Sequence, residues 1–127
     1  MAQRRRRILI VDDVEDNRDM YAFYLEHNGW YVEVAPDGET GIRLAQTAPF
    51  DVIVMDLAMP KMDGVAATRL LKSDARTRHI PIIIVSGHAL QGIAGAALAA
   101  GAEGYCMKPC SPEALEQEIE RVLKATP

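Results

Sequence analysis

The sequence predicts an α/β fold in which a doubly wound parallel sheet of five strands alternates with five helices. Two observations carry this prediction. Three runs, at residues 8–11, 52–55 and 82–85, are apolar at every position, which is typical of parallel strands covered on both faces. Helical patterns fill the intervals between such runs along the whole chain. At 127 residues the chain fits one domain, 1–127, without a linker or an internal repeat.

Two further strands are predicted from shorter patterns. Residues 31–35 alternate, with Glu33 between Val32 and Val34, so this strand is expected at an edge of the sheet with one exposed face. A last short strand fits residues 104–107. Right-handed crossovers then favour the strand order 2-1-3-4-5.

The helices are predicted between the strands, at residues 15–28, 38–47, 64–72, 89–100 and 112–124. N-caps are expected at Asp37, Asp63 and Ser111 because their side chains can accept a hydrogen bond from the first helical turn. The fourth helix is expected to be the least stable, since Gly92 and Gly95 lie inside the predicted range and each costs about 1 kcal/mol relative to alanine.

The charge is unevenly distributed. The net charge is −4, but residues 4–7 are four consecutive arginines, and the rest of the chain carries 10 positive and 18 negative charges, or −8. An acidic body argues against direct nucleic-acid binding, which needs a basic face. We interpret residues 1–6 as a basic, solvated N-terminal tip. The sequence has no apolar run of membrane-spanning length and no signal peptide, so we expect a cytoplasmic protein without membrane insertion.

Polar side chains follow the central strands at the edge where such folds bind ligands. Asp12 and Asp13 follow the first strand, Asp56 the third, Ser86 the fourth and Lys108 the fifth. Strands one and three would be neighbours, so their three carboxylates would meet and repel one another unless a cation joins them. An all-oxygen ligand set with few carboxylates suits Mg²⁺. The three carboxylates with their cation, the lysine Lys108 and the hydroxyl of Ser86 together predict a phosphoryl-transfer site with Asp56 as the nucleophile.

Each of these features also has a simpler interpretation. An Asp-Asp pair after a strand is usually a turn and a helix cap, and a lysine followed by proline before a helix is commonly a turn, although the peptide bond can be cis. A single Asp or Ser ending a strand indicates little. The functional interpretation rests on their coincidence at one end of adjacent strands.

In combination and order, these motifs resemble the receiver domain of two-component response regulators, a flavodoxin-like (βα)5 family that includes the chemotaxis response regulator. The resemblance runs from residue 7 to about residue 124 and rests on these segments: ILIVDD at 8–13, VIVMD at 52–56, MPKMDG at 59–64, IVSG at 84–87 and KP at 108–109.

The resemblance implies a role for each matching residue. Asp56 would be the phosphoacceptor, and Asp12 and Asp13 would be the acids of the Mg²⁺ site, completed by the backbone carbonyl of Ala58. Ser86 and Lys108 would contact the phosphoryl group.

The resemblance also implies a switch. Tyr105 would be the aromatic residue that rotates inward when Ser86 moves toward the phosphate. The surface of the fourth helix, fifth strand and fifth helix would report that movement to a partner.

Three positions depart from the usual family pattern. Gly87 replaces the common alanine, which loosens the loop after Ser86. Ala58 and His88 occupy the two positions whose side chains influence hydrolysis of the acyl phosphate in this family. Since Ala58 cannot orient a water, we expect a long-lived phosphoryl state unless His88 or a separate phosphatase assists.

The function implied is that of a single-domain response regulator without an output domain. A histidine kinase or histidine phosphotransfer protein would supply the phosphoryl group, and a downstream protein or a further relay would receive the signal. We expect no turnover of an external substrate, and a dimer that forms on phosphorylation is a further expectation.

Three other functions fit the sequence less well. A phosphohydrolase of the haloacid-dehalogenase type would need an acid at Ala58, a nucleotide-binding protein would need a glycine-rich phosphate loop, and an inactive receiver-like scaffold would lack one of the acids or the lysine.

The remaining motifs are interpreted as structural. Cys106 is expected in the core and Cys110 to be incidental, with a disulfide between them disfavoured in a reducing cytosol. His27 and His79 are expected at the surface, and Trp30 is expected to be partly buried.

Overall fold

The sheet has five parallel strands in the order β2-β1-β3-β4-β5, as the sequence predicts. The computed structural model describes residues 6–87 and 92–125. The strands are β1 (Arg7–Val11), β2 (Tyr31–Ala35), β3 (Val52–Asp56), β4 (Ile82–Ser86) and β5 (Gly104–Met107). All four pairings are parallel. The fold is therefore the flavodoxin-like doubly wound sheet.

Five helices alternate with the strands: α1 (Glu15–His27), α2 (Gly38–Thr47), α3 (Gly64–Ser73), α4 (Ile93–Ala99) and α5 (Pro112–Ala125). The three predicted N-caps are confirmed. Asp37 Oδ1 accepts from Thr40 N at 2.7 Å, and Asp63 Oδ1 accepts from Ala66 N at 2.9 Å. Ser111 Oγ accepts from the backbone N–H of the third residue after it at 3.1 Å.

The sheet separates two hydrophobic cores. One lies under α2, α3 and α4 and includes Leu9, Met55 and Ile84. The other lies under α1 and α5 and includes Leu25 and Ile119. Residues of β1, β3 and β4 alternate between the two cores, which explains why these strands are apolar at every position.

The fourth helix is shorter than predicted. It begins at Ile93, and Gly92 precedes it as the N-cap residue with φ +71°. The expectation that Gly92 lies inside the helix is therefore wrong, since a left-handed residue ends or begins a helix rather than continuing it. Gly95 does lie inside. The predicted start at residue 89 falls outside the described residues.

The arginine run divides between the tip and the sheet. Arg6 is exposed, whereas Arg7 is half-buried as the first residue of β1. Its guanidinium is 2.9 Å from Glu33 Oε2 and lies 4.4 Å from the centre of the Tyr31 ring. A solvated role is thus wrong for Arg7, which joins β1 to β2. Arg4 and Arg5 lie outside the described residues.

Both histidines lie at the surface as predicted, whereas Trp30 is more deeply buried than the predicted partial burial. His27 and His79 are exposed. Trp30 is buried, and its indole Nε1 donates to Glu116 Oε2 at 2.8 Å. This bond joins the loop after α1 to α5.

Candidate functional site

Asp12 and Asp13 follow directly on β1, next to the centre of the sheet. Asp12 is 4% exposed. Its Oδ1 accepts from Val14 N at 2.9 Å, and Val14 is the residue just before α1. Arg18 of α1 also donates to the Asp12 backbone carbonyl at 2.8 Å. Asp13 is exposed. One acid of the pair is therefore fixed by its surroundings, and the other faces solvent.

Asp56 is the last residue of β3 and is 3% exposed. The register of β1 and β3 places Val11 opposite Met55, so Asp12 and Asp56 leave the sheet side by side. The carboxylate oxygens of Asp12, Asp13 and Asp56 lie within 4.8 Å of one another. The sequence prediction that these three acids meet is confirmed as geometry.

The cluster fits a hard divalent cation. Three carboxylates this close, two of them buried, are a concentration of negative charge that needs a counter-charge. The hydrogen bond that Asp12 accepts and the ion pair of Asp56 both use Oδ1. An all-oxygen set with one exposed member leaves room for water, and this favours Mg²⁺ over Zn²⁺.

Lys108 supplies a positive charge next to the Asp56 carboxylate. Its Nζ lies 3.0 Å from Asp56 Oδ1, and its side chain is 34% exposed. The Lys108 backbone N donates to the Ser86 carbonyl at 2.7 Å. The peptide bond between Lys108 and Pro109 is cis, which is one of the conformations that the sequence allowed.

The electrostatics of Asp56 reflect these neighbours. Burial raises the pKa of the Asp56 carboxyl above its usual value, the hydrogen bond from Lys108 opposes that rise, and the negative charge of Asp12 adds to it. The ionised Asp56 is thus poorly compensated by the protein alone. A cation bound by the three carboxylates would supply the positive charge that the protein lacks there.

The loop after β3 is closed tightly beneath the site. A Cβ on Gly64 would lie 2.6 Å from the Asp56 backbone oxygen and 2.9 Å from the Leu57 Cα. Only glycine allows α3 to begin this close to β3. Within the same loop Lys61 adopts φ +67°. The MPKMDG segment therefore sets the path of the chain around Asp56.

The switch residues predicted from the resemblance lie on the neighbouring strands. Ser86 is buried at the end of β4. Tyr105 on β5 is half-buried and packs against the core under α4. Its backbone N donates to Glu118 Oε2 of α5 at 2.9 Å. Tyr105 thus joins β5 to α5 through its backbone and packs against the core under α2, α3 and α4.

Two predicted tuning positions differ in what the structure describes. Ala58 is exposed, and its backbone N lies 3.4 Å from Asp56 Oδ1. His88 lies outside the described residues. Gly87 is exposed, and among the described residues an added Cβ would have no neighbour within 4 Å.

The interpretation of the cysteines is confirmed for Cys106, which packs against the core, and wrong for Cys110 and for the disulfide. Cys106 and Cys110 form a disulfide. Both residues belong to the core under α1 and α5, where Cys110 is 7% exposed, so Cys110 is not incidental. Their Cα atoms are 6.1 Å apart, within the usual reach of a disulfide. Sequence reasoning discounted the pair because it assumed a reducing compartment and saw no second pair.

Sequence reasoning also missed Tyr21. This residue of α1 is buried, and its hydroxyl donates to the Cys110 backbone carbonyl at 2.6 Å. Burial raises the pKa of the Tyr21 hydroxyl, and the negative charges of Asp12 and Asp56 add to that rise. A tyrosine on the buried face of α1 looks like ordinary packing in the sequence. Only the fold places it against the loop that carries Lys108.

Comparison with known sequences gives one consistent result. A model of the response regulator receiver domain matches residues 8–120. The chemotaxis protein CheY of Pseudomonas aeruginosa is 32% identical over 119 residues, which cover 93% of this chain and 96% of that protein. The signal transduction histidine-protein kinase BarA of Shigella flexneri is 34% identical over 114 residues, 90% of this chain.

The relatives differ in length. The probable transcriptional regulator ycf27 of Guillardia theta is 35% identical over 96% of this chain. The chain spans only 12% of the length of BarA and 47% of the length of ycf27. The matched segment is therefore shared by proteins of different overall size.

Solved structures agree with the fold. Chemotaxis response regulator CheY4 of Vibrio cholerae superposes with a TM-score of 0.88 at 32% identity, covering 94% of this chain and 99% of that one. The receiver domain of sensor histidine kinase PA1611 of Pseudomonas aeruginosa has a TM-score of 0.87 at 31% identity, covering 95% and 99%. That structure has a magnesium ion coordinated in its active site cleft. Among residues 6–87 and 92–125, no helix is long and apolar enough to cross a membrane.

Proposed function

The chain belongs to the family of response regulator receiver domains of two-component systems, and on that premise we propose that it receives a phosphoryl group on Asp56. One observation carries the proposal. Asp56 is a buried carboxylate with Lys108 Nζ at 3.0 Å on one side, and it shares a cluster with Asp12 and Asp13 within 4.8 Å on the other. This is the arrangement that phosphoryl transfer to a carboxylate needs.

We propose that Asp12, Asp13, Asp56 and the backbone carbonyl of Ala58 hold Mg²⁺. When bound, the ion would neutralise the oxygens of the incoming phosphoryl group. The PA1611 receiver domain, with its coordinated magnesium ion, supports this assignment.

The chain's own residues carry the transfer. A carboxylate oxygen of Asp56 forms the new O–P bond while the N–P bond of a phosphohistidine breaks and the imidazole leaves with the electron pair. Lys108 is already placed to pair with a phosphoryl oxygen, because its Nζ is within hydrogen-bond distance of Asp56. No external substrate is turned over in this scheme.

The signal would leave through the surface formed by α4, β5 and α5. Phosphorylation adds about −1.5 to −2 charges and three acceptor oxygens. We propose that Ser86 moves toward these oxygens and that Tyr105, which packs against the core under α2, α3 and α4, fills the space that Ser86 leaves. A downstream protein would read the change.

The partners follow from the same chemistry. The phosphoryl donor would be a histidine kinase or a histidine phosphotransfer protein, and the relative BarA is by its name a histidine-protein kinase. We propose that residues 1–127 act as one receiver domain in the cytoplasm, and that the phosphorylated form either binds a partner, pairs with a second copy or passes the phosphoryl group on.

The test uses acetyl phosphate as the donor. Wild-type protein with Mg²⁺ is expected to gain the mass of one phosphoryl group, and chelation of Mg²⁺ is expected to abolish the gain. Asp19→Asn, at an exposed acid of α1 outside the cluster, serves as the matched control for Asp56→Asn. Labelling in Asp19→Asn but not in Asp56→Asn supports the proposal, and equal labelling in both variants rejects it.

A further inference from the structure

The disulfide encloses the residue on which the proposed chemistry depends. Cys106 ends one side of a five-residue ring and Cys110 the other, with Met107, Lys108 and Pro109 between them. Lys108 is the middle residue of that ring, and its Nζ reaches Asp56 at 3.0 Å. Any change in the covalent bond therefore acts on the backbone that carries Lys108.

The two ends of this ring are held by the protein, because Cys106 and Met107 pair with β4 and Cys110 lies in the core under α1 and α5. The Lys108 N–H donates to Ser86 O at 2.7 Å, and Tyr21 donates to Cys110 O at 2.6 Å. Between its two ends, the segment is open on one side at Lys108 and Pro109. It lines an open groove of about 200 Å³ beside Asn17 and Met20 of α1. The disulfide thus adds a covalent constraint to a turn that is open on one side at Lys108 and Pro109.

The disulfide is also within reach of solvent. Cys106 is half-buried, and it lies on β5, the edge strand of the sheet. Partial exposure of Cys106 gives an external thiol a route to the disulfide that full burial of both cysteines would not give.

From these contacts we propose that Cys106–Cys110 is a redox modification site that controls the placement of Lys108, and thereby the rate at which Asp56 is phosphorylated. The inference rests on the proposed function. The oxidised ring holds Lys108 against Asp56, and the reduced segment allows Lys108 to occupy other positions.

The exchange needs a dithiol as reductant, in a cell a dithiol protein. One thiolate of the dithiol attacks Cys106 Sγ, an S–S bond forms between them, and Cys110 leaves as a thiolate with the electron pair. The second thiolate of the dithiol then attacks its own sulfur in that mixed disulfide and releases Cys106. Both cysteines take up a proton, the pair gains two electrons, and the dithiol becomes a disulfide.

Signalling would consequently depend on the redox state of the surrounding thiols. In a reducing cytoplasm the dithiol form would prevail, and the ring would close when the dithiol pool becomes oxidised. Phosphorylation by a given donor would then be faster under oxidising conditions.

The experiment compares the two forms of the wild-type protein. One sample is incubated with dithiothreitol and the other with its cyclic disulfide, and iodoacetamide alkylation with intact mass counts the thiols in each. Initial phosphorylation rates are then measured with acetyl phosphate and saturating Mg²⁺. The oxidised form is expected to react about three- to tenfold faster, because Lys108 is held in position.

The double variant Cys106→Ser/Cys110→Ser is the matched control. It is expected to react at the reduced rate in both reagents, with circular dichroism confirming that it is folded. A disulfide that only stabilises the fold would lower the thermal midpoint on reduction without changing the rate, and equal rates therefore overturn the inference. A reduced form that is phosphorylated faster would also overturn the inference. So would a disulfide that dithiothreitol reduces only when the protein unfolds. Labelling of neither form rejects the proposed function and this inference together, whereas equal labelling of both rejects the inference alone.

Discussion

Asp56 is the residue at which stability and function oppose each other. Its carboxylate is buried beside a second buried carboxylate, and burial raises its pKa although Lys108 lies 3.0 Å away. A raised pKa means that the ionised form is less favourable in the native state than in the unfolded chain. Ionisation of Asp56 therefore costs stability, and a cation or the removal of the charge restores it.

Asp56→Asn is expected to stabilise the metal-free protein by about 1 kcal/mol at neutral pH, because a buried, incompletely paired charge disappears. The pKa of Asp56 is raised, so the wild type loses stability relative to the variant as the pH rises from the usual aspartate range through the raised pKa. Above that range the difference is expected to be constant. Urea unfolding at several pH values measures it.

Two controls accompany this measurement. Mg²⁺ is expected to stabilise the wild type more than the variant, since it binds the native cluster, and Asp19→Asn is expected to leave stability unchanged within about 0.5 kcal/mol. A less stable Asp56→Asn, or a difference that shrinks as the pH rises, would contradict this account of the site.

The lifetime of the phosphoryl group is a second property set by single residues. Ala58 offers no polar side chain beside Asp56, so we expect the acyl phosphate to decay slowly unless His88 orients a water. Decay after removal of acetyl phosphate measures this in the wild type and in His88→Ala. Much faster decay in the wild type would assign the role to His88, and rapid decay in both would refute the expectation.

Two glycines show how loops at the element scale differ in their demands. Gly64 has backbone atoms of Asp56 and Leu57 within 2.9 Å of an added Cβ, whereas a Cβ on Gly87 has no atom of the described part of the chain within 4 Å. The start of α3 therefore requires glycine, and the loop after β4 does not. The same residue type has opposite meanings at the two positions.

Gly87→Ala is expected to stabilise the protein by about 0.4–1 kcal/mol, because alanine restricts the unfolded chain without a clash in the folded one. Gly64→Ala is expected to destabilise it and to slow phosphorylation, since the loop beneath Asp56 must shift. Thermal unfolding of both variants tests the contrast. Equal changes in thermal stability for the two substitutions would contradict the difference between the two loops.

The connection between β5 and α5 depends on Glu118. Its carboxylate accepts from Arg121 and from the Tyr105 backbone N at 2.8–2.9 Å. The Arg121 hydrogen bond, followed by the bond from Tyr105, lowers the pKa of Glu118 despite its partial burial. This carboxylate joins the strand that carries the proposed switch residue to the last helix.

Glu118→Gln is expected to cost at most about 1 kcal/mol at neutral pH, since Arg121 is largely exposed and its ion pair is screened. Because the pKa of Glu118 is lowered, its contribution is present above the usual glutamate range and is lost as the pH falls through the lowered value. The stability difference between wild type and variant should therefore vanish in acid. A difference that persists there would show that the charge of Glu118 is not the cause.

At the scale of the whole molecule, the sequence predicts the architecture well for a physical reason. Strands buried on both faces must be apolar at every position, so β1, β3 and β4 stand out, and the strand order follows from right-handed crossovers. The meeting of Asp12, Asp13 and Asp56 then follows from the fold, because the carboxyl ends of neighbouring parallel strands coincide.

What the sequence did not predict depends on distances between elements. The contact of Tyr21 with Cys110 joins residues 89 positions apart, and no local pattern announces it. The disulfide joins cysteines only four positions apart, but the expectation of a reducing compartment argues against it, and only the geometry of the fold shows it. The basic run was assigned as a unit, although Arg7 packs on Tyr31 within the sheet.

The central claim is that Asp56 forms an acyl phosphate. Borohydride reduces an aspartyl phosphate to homoserine, so wild-type protein treated with acetyl phosphate and Mg²⁺, then with borohydride, can be digested and analysed by mass spectrometry. We predict homoserine at position 56 and at no other aspartate. Unmodified Asp56, or homoserine at Asp12 or Asp13 instead, would contradict the account.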